Sequence, residues 1–295
     1  MSDHRGAGPS AWRVRGRAFA WGAGARPLLM GVLNVTPDSF SDGGRHRDVH
    51  EAVAAGHAMF EAGADIVDVG AESTRPGAVR VPARQQLDRA APVIERLSAA
   101  GPVSVDTTLA EVAAGAIAAG ACIVNDVSAC TEDPGMAALA AGREAGLVMM
   151  HRLVPPDRDR WSTERDPRRD AYGDVVAAVR DWLSARVEAA VACGVAREAI
   201  AVDPGFGFGK DVAQNLVLLA RIAEFRAMGL PVAAGVSRKS FIGAVTGCDD
   251  PVARDPASAL AAAIAVAAGA SIVRAHDVRS HRAAIDLAAA AARAG

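Results

Sequence analysis

From residue 28 to the end of the chain, short apolar runs alternate with longer alanine-rich stretches. The runs occupy residues 28–33, 66–69, 103–105, 123–127, 147–150, 200–202, 232–234 and 272–273. Each is a few residues long, most are β-branched, and Gly, Pro or polar residues bound them, which is how parallel strands buried on both faces read. The stretches at 49–62, 84–99, 109–119, 175–193 and 279–292 read instead as amphipathic helices. Eight strand candidates separated by helices predict one α/β domain, a (β/α)8 TIM barrel. This pattern fits a barrel better than an open doubly wound sheet, although the two share a similar periodicity. No linker interrupts the series, so the barrel is expected to span 28–295, behind an extension over 1–27.

Two segments stand outside the alternation. Between residues 12 and 21, Trp12, Val14, Phe19 and Trp21 are interleaved with Arg13, Arg15 and Arg17, which predicts a short β-hairpin closing the amino-terminal end of the barrel. Residues 154–172 are rich in Pro, Arg and Asp, and are expected to form a long mobile loop after the fifth barrel strand.

Composition narrows the function classes. A chain of 295 residues, 51% of them hydrophobic, can bury a large core. A formal net charge of −2 disfavours a protein that binds nucleic-acid backbone. No apolar run reaches the ~20 residues of a membrane span, and the arginine-bearing amino terminus lacks the apolar core of a signal peptide. Cys122, Cys130, Cys193 and Cys248 show no C-x-x-C spacing. The expectation is a reduced, cytoplasmic protein with incidental thiols.

The strand ends carry the chemistry. The runs terminate on Asn34, Asp68 with Glu72 close behind, Asp106, Asn125 with Asp126, His151, Asp203, residues 237–240 (SRKS), and Arg274 with His276. Taken singly, each has a capping or turn explanation. In a barrel they converge on one mouth, where so many polar groups are costly unless they bind something. Asp106, Asn125, Asp203 and Lys239 supply acceptors, a two-faced amide and a cationic donor, a set suited to a flat heterocycle with an amide-like edge. Asn34, Arg75, Arg274 and His276 form an anion-seeking set suited to phosphate oxygens.

Three Gly-rich stretches accompany them. Residues 36–44 (TPDSFSDGG) and 73–77 (STRPG) follow the first two barrel strands and are expected to be flexible loops over the mouth. The third, 203–210 (DPGFGFGK), is not a Walker A sequence, because Asp211 stands where Ser or Thr is needed. It also lacks the third glycine of a dinucleotide fingerprint. Its glycines suit close approach of a planar ligand, with Phe206 or Phe208 serving either as a wall or as ordinary core.

Seven segments together carry a family resemblance: MGVLNVTPDSFSDGG (30–44), DVGAESTRPGA (68–78), SVDT (104–107), VNDVS (124–128), DPGFGFGK (203–210), GVSRKSFIG (235–243) and VRAHDV (273–278). In order and spacing they resemble those of dihydropteroate synthase, from about Leu28 to the carboxyl terminus. The resemblance implies a transferase of folate biosynthesis. It condenses 6-hydroxymethyl-7,8-dihydropterin pyrophosphate with p-aminobenzoate, giving 7,8-dihydropteroate and pyrophosphate.

Carried over residue by residue, the implied pterin contacts are Asp106, Asn125, Asp203 and Lys239. Asn34 would help hold Mg2+ on the pyrophosphate, whose oxygens Arg75, Arg274 and His276 would grip. Phe40, Thr74, Pro76 and Phe208 would shape the p-aminobenzoate pocket, and Ser240 would bind its carboxylate. Asp106, Arg75 and Lys239 are the implied catalytic groups, with Asp106 supporting a cationic pterin methylene as the pyrophosphate leaves. The resemblance also implies a homodimer through the last helices. Burial within the monomer explains the Ala-rich stretch 257–270 equally well. Unaltered Phe40 and Pro76 imply ordinary sulfonamide sensitivity.

Two features depart from the family's pattern, and both flank the implied pterin pocket. His151 is followed by Arg152, Leu153 and Val154, where a methionine and a GTP-like sequence are common. Ala129 and Cys130 replace a small Gly pair after VNDVS. His151 receives no catalytic role here, since strand-end packing explains it as well. Two other readings fit part of the pattern. A methyltetrahydrofolate-dependent corrinoid methyltransferase would not need STRPG or SRKS. A non-catalytic pterin-binding paralogue would not need intact Asn34, Arg75, Lys239, Arg274 and His276.

Overall fold

A computed structural model describes residues 10–36 and 44–294. Strands β1 (Ser10–Val14) and β2 (Arg17–Trp21) pair as the expected antiparallel hairpin. The eight apolar runs then become β3 (Leu28–Asn34), β4 (Ile66–Gly70), β5 (Val103–Asp106), β6 (Ile123–Asp126), β7 (Gly146–Met150), β8 (Ile200–Asp203), β9 (Ala233–Ala234) and β10 (Ile272–Ala275). Their order in the sheet is β8-β7-β6-β5-β4-β3-β10-β9. The ring closes where Val202 bridges Val232 in parallel and its N–H donates to the Pro231 carbonyl at 2.9 Å. Closure removes the free edges that an open sheet would leave.

Helices α1 (Gly44–Glu61), α2 (Ala83–Leu97), α3 (Ala110–Ala118), α4 (Gly135–Gly142), α5 (Val175–Ala192), α6 (Val212–Ala220), α7 (Ser240–Thr246), α8 (Asp255–Ala267) and α9 (Val278–Ala294) surround the strands. Among the described residues no helix is long and apolar enough to cross a membrane. Asp211, out of place for a phosphate loop, caps α6: its carboxylate accepts from Gln214 N–H at 2.8 Å while the Gln214 side chain accepts from Asp211 N–H at 3.0 Å.

Alternation along the strands separates two cores. Leu29, Val67, Val69, Val105, Val124, Leu147, Val202 and Val273 face outward beneath the helices. Leu28, Met30, Ile66, Ile123, Val148, Ala201, Ala233 and Ile272 form a second cluster with Trp12 and Val14. These residues face inward, and the hairpin plugs their open end. Trp12 is fully buried, and its indole N–H donates to the Ala199 carbonyl at 2.9 Å. Arg15 donates to the carbonyls of Ile117 and Ala121 at 2.8 and 2.9 Å. Val14 sits so close to Gly146 that a Cβ there would lie 2.3 Å from Val14 Cγ1.

The segment after β7 is more built than the expectation of a long mobile loop. Two short 3-10 turns, Pro156–Arg158 and Pro167–Tyr172, flank a segment organised by the buried side chain of Arg169. Its guanidinium donates to the carbonyls of Glu164 (2.8 Å), Arg160 (2.7 Å) and Trp161 (3.2 Å). Because these bonds replace a missing sheet ladder with a side chain, neither hydrophobic periodicity nor apolar content betrays them. The loop's outward bonds reach the mouth: Gly77 N–H donates to Pro156 O at 2.8 Å, and Ser162 N–H donates to Ser240 Oγ at 3.3 Å.

Candidate active site

Strand register assembles the site. Asn34 lies opposite Gly70, Gly70 opposite Asp106, and Asp106 opposite Asn125, so one row crosses four neighbouring strands at their carboxyl ends. Gly70 leaves room in that row: a Cβ there would lie 3.4 Å from Asn34 Oδ1 and 3.7 Å from Asp106 Oδ2. Two residues earlier on the inward face of β4 stands Asp68, fully buried.

Asp68 organises the row, although sequence reasoning gave it no site role. Its Oδ2 accepts from Asn125 Nδ2 at 3.0 Å and from Arg274 Nε at 2.7 Å. Arg274 Nη2 reaches Asp106 Oδ2 at 2.7 Å. Arg274 therefore bridges two carboxylates, and the expected heterocycle and anion sets meet in one hydrogen-bonded group. Asp106 Oδ1 and Asp68 Oδ1 are buried without a hydrogen-bond partner among the described residues. Burial pushes the Asp106 carboxyl up to about 7; Arg274 opposes the rise, while nearby Asp68 adds to it. A buried carboxylate oxygen with an unfilled lone pair beside a cation is a ready acceptor for a ligand N–H. The signal for Asp68 was present in the sequence as a carboxylate inside the otherwise apolar run IVDV.

Opposite this group, the 203–210 segment folds against Lys239. Asp203 Oδ1 accepts from Gly205 N–H at 2.7 Å, and burial raises the carboxyl above its ordinary value. Gly205 and Gly207 adopt left-handed φ angles of 72° and 81°. A Cβ at Gly205 would lie 1.9 Å from the His151 carbonyl oxygen, and one at Gly207 would lie 2.9 Å from Lys239 Cδ, so glycine is required twice over. The two phenylalanines separate cleanly. Phe206 is fully buried core stacked near Phe241, whereas the Phe208 ring lies 4.0 Å below the Lys239 ammonium. Burial lowers Lys239 to about 8. Phe208, Val127 and Met150 form a small apolar cluster of their own at this end of the barrel. Val127 and Met150 were invisible as site residues because nothing in an apolar run marks which member faces a ligand.

The turn after β6 takes the strained form that a Gly pair would make easily. Ala129 and Cys130 have φ of 50° and 61°. Asp126 holds the turn, accepting from Ser128 N–H at 2.7 Å and Cys130 N–H at 2.8 Å. Arg186 Nε donates to the Ala129 carbonyl at 2.9 Å. The second departure, Arg152, is buried and ion-paired with Glu132, which also receives Arg80 and the Thr108 hydroxyl. These charges line a cavity of about 250 Å³ beside Asp106 and Thr74.

At the rim, Arg75 is exposed, and its positive charge helps lower His276. His276 accepts or donates at Nδ1 with Ser237 Oγ (3.0 Å), and burial drives its pKa to about 3. It therefore stands among these cations as a neutral hydrogen-bonding group. Thr74 and Pro76 are half-buried in the loop after β4, and Ser240 opens α7. Arg238, between Ser237 and Lys239, has φ of 61° and is clamped by Asp255 at 2.7 and 2.8 Å. Phe40, and most of the 36–44 loop, lie outside the described residues.

Comparison with known proteins places the chain in a family. The family model described as "Pterin binding enzyme" matches residues 30–276. The dihydropteroate synthase of Mycobacterium leprae is 48% identical over 259 residues, which is 85% of this chain and 89% of that protein. The Xanthomonas albilineans dihydropteroate synthase solved with 4-aminobenzoic acid superposes with a TM-score of 0.85 at 42% identity, covering 96% of this chain and 98% of that one. The Yersinia pestis enzyme solved with a sulfonamide drug complex superposes with a TM-score of 0.86 at 36% identity, covering 97% and 100%. The chain belongs to the pterin-binding enzyme family and, within it, to the dihydropteroate synthases.

Proposed function

We propose that Asp106, Asn125, Asp203 and Lys239 hold the pterin ring in the dihydropteroate synthase reaction, with Val127, Met150 and Phe208 as its apolar walls. The observation that carries this reading is the buried, unpartnered Oδ1 of Asp106 beside the Arg274-bridged pair. Carboxylates there accept paired ring N–H groups, and the Lys239 ammonium donates to a ring carbonyl or nitrogen.

In the condensation, the bond from the pterin methylene carbon to the bridging pyrophosphate oxygen breaks with its electrons on oxygen. The aniline nitrogen of p-aminobenzoate then bonds to that carbon and loses a proton. The negative charges of Asp106 and Asp68 favour the transient positive charge on the pterin. Arg75 and Arg274 meet the charge growing on the leaving group, and His276 contributes a neutral hydrogen bond. Arg274 remains 22% exposed while paired, which leaves part of its guanidinium for an anion. Thr74, Pro76, Phe208 and Phe40 border the p-aminobenzoate ring, and Ser240 takes its carboxylate.

The donor set also fits Mg2+ carried on the substrate. Asn34 offers one amide oxygen in the row with Asp106, and Mg2+ characteristically completes its shell with phosphate oxygens and water. Bound there, it would supply neutralisation of the leaving pyrophosphate.

A homodimer through α8 and α9 is supported by Leu260, Ile264 and Leu287, exposed at 66%, 54% and 72% on these two helices. A cytoplasmic setting accords with four free cysteines. Sulfonamides, as mimics of p-aminobenzoate, are expected to compete at the Ser240 end.

The test is substitution with complementation. Asp106→Ala and Arg75→Ala should each lower turnover by about 100-fold or more, and both should fail to rescue a synthase-deficient, folate-requiring strain. Wild type should rescue it, and lose rescue when sulfonamide is added. Turnover within severalfold of wild type in either variant would overturn the assignments.

A further inference from the structure

Two buried basic side chains have no part in the reaction as described. Lys210 is fully buried, and His151 is 5% exposed at the end of β7. The Lys210 ammonium donates to the Gly205 carbonyl at 2.8 Å and the Phe208 carbonyl at 2.9 Å. Its other two contacts are both on His151, Nδ1 at 3.0 Å and the carbonyl oxygen at 3.5 Å. Burial lowers the Lys210 ammonium to about 7, with Asp203 and Asp159 opposing the fall. In its protonated form it has no acceptor, so the ring contact then takes the lone pair on Nδ1 of a neutral imidazole. Burial, with the adjacent ammonium next, holds His151 well below its ordinary pKa. Trp182 meets the ring edge-on at 4.9 Å and Tyr172 lies 5.8 Å away, which fixes the ring plane.

Residues 204–209 belong to no helix or strand. Their carbonyls wrap the Lys210 ammonium much as a loop wraps a bound cation. Asn215 Oδ1 and Asp159 Oδ2 fasten the outside of the loop through the N–H groups of Gly207 (2.7 Å) and Gly209 (3.1 Å). What the loop presents is the Phe208 ring under Lys239 and the bare backbone of Gly207 against the Lys239 stem.

We propose that His151 and Lys210 are a positioning pair for pterin binding: neutral His151 accepts from the Lys210 ammonium, which folds residues 204–209 so that Phe208 and Lys239 meet the ring. The pair touches no substrate, since the Lys210 nitrogen is fully buried among Gly205, Phe208 and His151. It also gives the strand-end histidine a role that simple packing does not. The inference rests on reading Asp203, Phe208 and Lys239 as the pterin pocket.

The experiment compares His151→Asn, whose amide oxygen falls near the place of Nδ1, with His151→Leu, which has no acceptor, and with Lys210→Met. Binding of 6-hydroxymethyl-7,8-dihydropterin, which lacks the leaving group, is measured by calorimetry, alongside kcat at saturation and thermal stability. Leu and Met variants should weaken pterin binding by about tenfold, the scale of one charge-assisted hydrogen bond, with kcat within about threefold. His151→Asn should recover most of the affinity. Equal affinity in the Asn and Leu variants, or a loss that merely follows the folded fraction, would overturn the pair. If Lys210→Met fails to fold, the Asn and Leu comparison decides alone. Phe208→Ala and Lys239→Met serve as controls: if they leave pterin affinity intact, the pocket reading itself fails, whatever the pair does.

Discussion

The two ends of this barrel are built from the same strands and obey opposite rules. At the amino-terminal end, Ile66, Ile123, Ala201 and Ile272 pack on Trp12 and Val14, and the one indole N–H buried there has its carbonyl. Two residues further along the same inward faces stand Asp68, Asn125, Asp203 and Arg274. With a strand period of two, a single step along each strand turns a dry plug into a charged mouth. Asp68 and Asp106 there retain buried oxygens without partners among the described residues. The closed end stabilises the ring, and the open end uses that stability to hold groups that would not otherwise stay buried together.

Substitutions should divide along the same line. The largest effect is expected from Arg274→Met, which leaves Asp68 and Asp106 facing each other without their cation. Turnover should fall by about 100- to 1000-fold, as measured by steady-state kinetics on folded protein. Trp12→Ala should do the converse. It should cost about 3–5 kcal/mol of stability in denaturant unfolding, while kcat of the surviving folded enzyme stays near wild type. A large kcat loss from Trp12→Ala would break the separation between the ends.

A pH profile sharpens the comparison further. Asp106 is raised to about 7 in the fold, so it takes up a proton as pH falls through neutrality. The kcat/KM for the pterin substrate should therefore decline below about pH 7. Stability runs the other way: a carboxyl held above its unfolded value binds its proton more tightly when folded. Its contribution is thus greatest below about 4 and fades as pH rises toward 7. Asp68→Asn removes the neighbouring negative charge and should move the acid limb of activity to lower pH. An unmoved limb would assign it to another group. His276, lowered to about 3 chiefly by burial, should contribute no limb in the active range.

The smallest effect concerns strain at the open end. Ala129→Gly relieves a left-handed alanine at φ 50°. After the added unfolded-state entropy of glycine, it should raise stability by about 0.5–1 kcal/mol. A loss of stability would mean that the Asp126 and Arg186 clamps already remove the strain.

Much of this was legible in one dimension. All eight strands lie within two residues of their apolar runs, because strands buried on both faces must be apolar without interruption except where they end. The hairpin was legible from its alternation of tryptophan and arginine. Polar strand ends pointed to the mouth for the same reason, since nothing in packing calls for Asp106, Asn125 or Asp203 at those places.

Other features depended on neighbours that sequence order does not reveal. Arg274 is 206 residues from Asp68 and 168 from Asp106, and only ring closure and register bring the three together. That contact changed Arg274 from a free anion ligand into a bridge between carboxylates. Similarly, Phe206 and Phe208 are indistinguishable in DPGFGFGK until the left-handed turns at Gly205 and Gly207 send one ring into the core and the other under Lys239. The segment after β7 looked open because its order resides in Arg169 bonds to backbone rather than in apolar spacing. Local composition and periodicity, being properties of the chain, determined the elements and the end of the barrel that carries the chemistry. Which charges touch, and hence which protonation states the site holds, was decided only by tertiary structure, because Coulomb and desolvation energies depend on distance and burial in space.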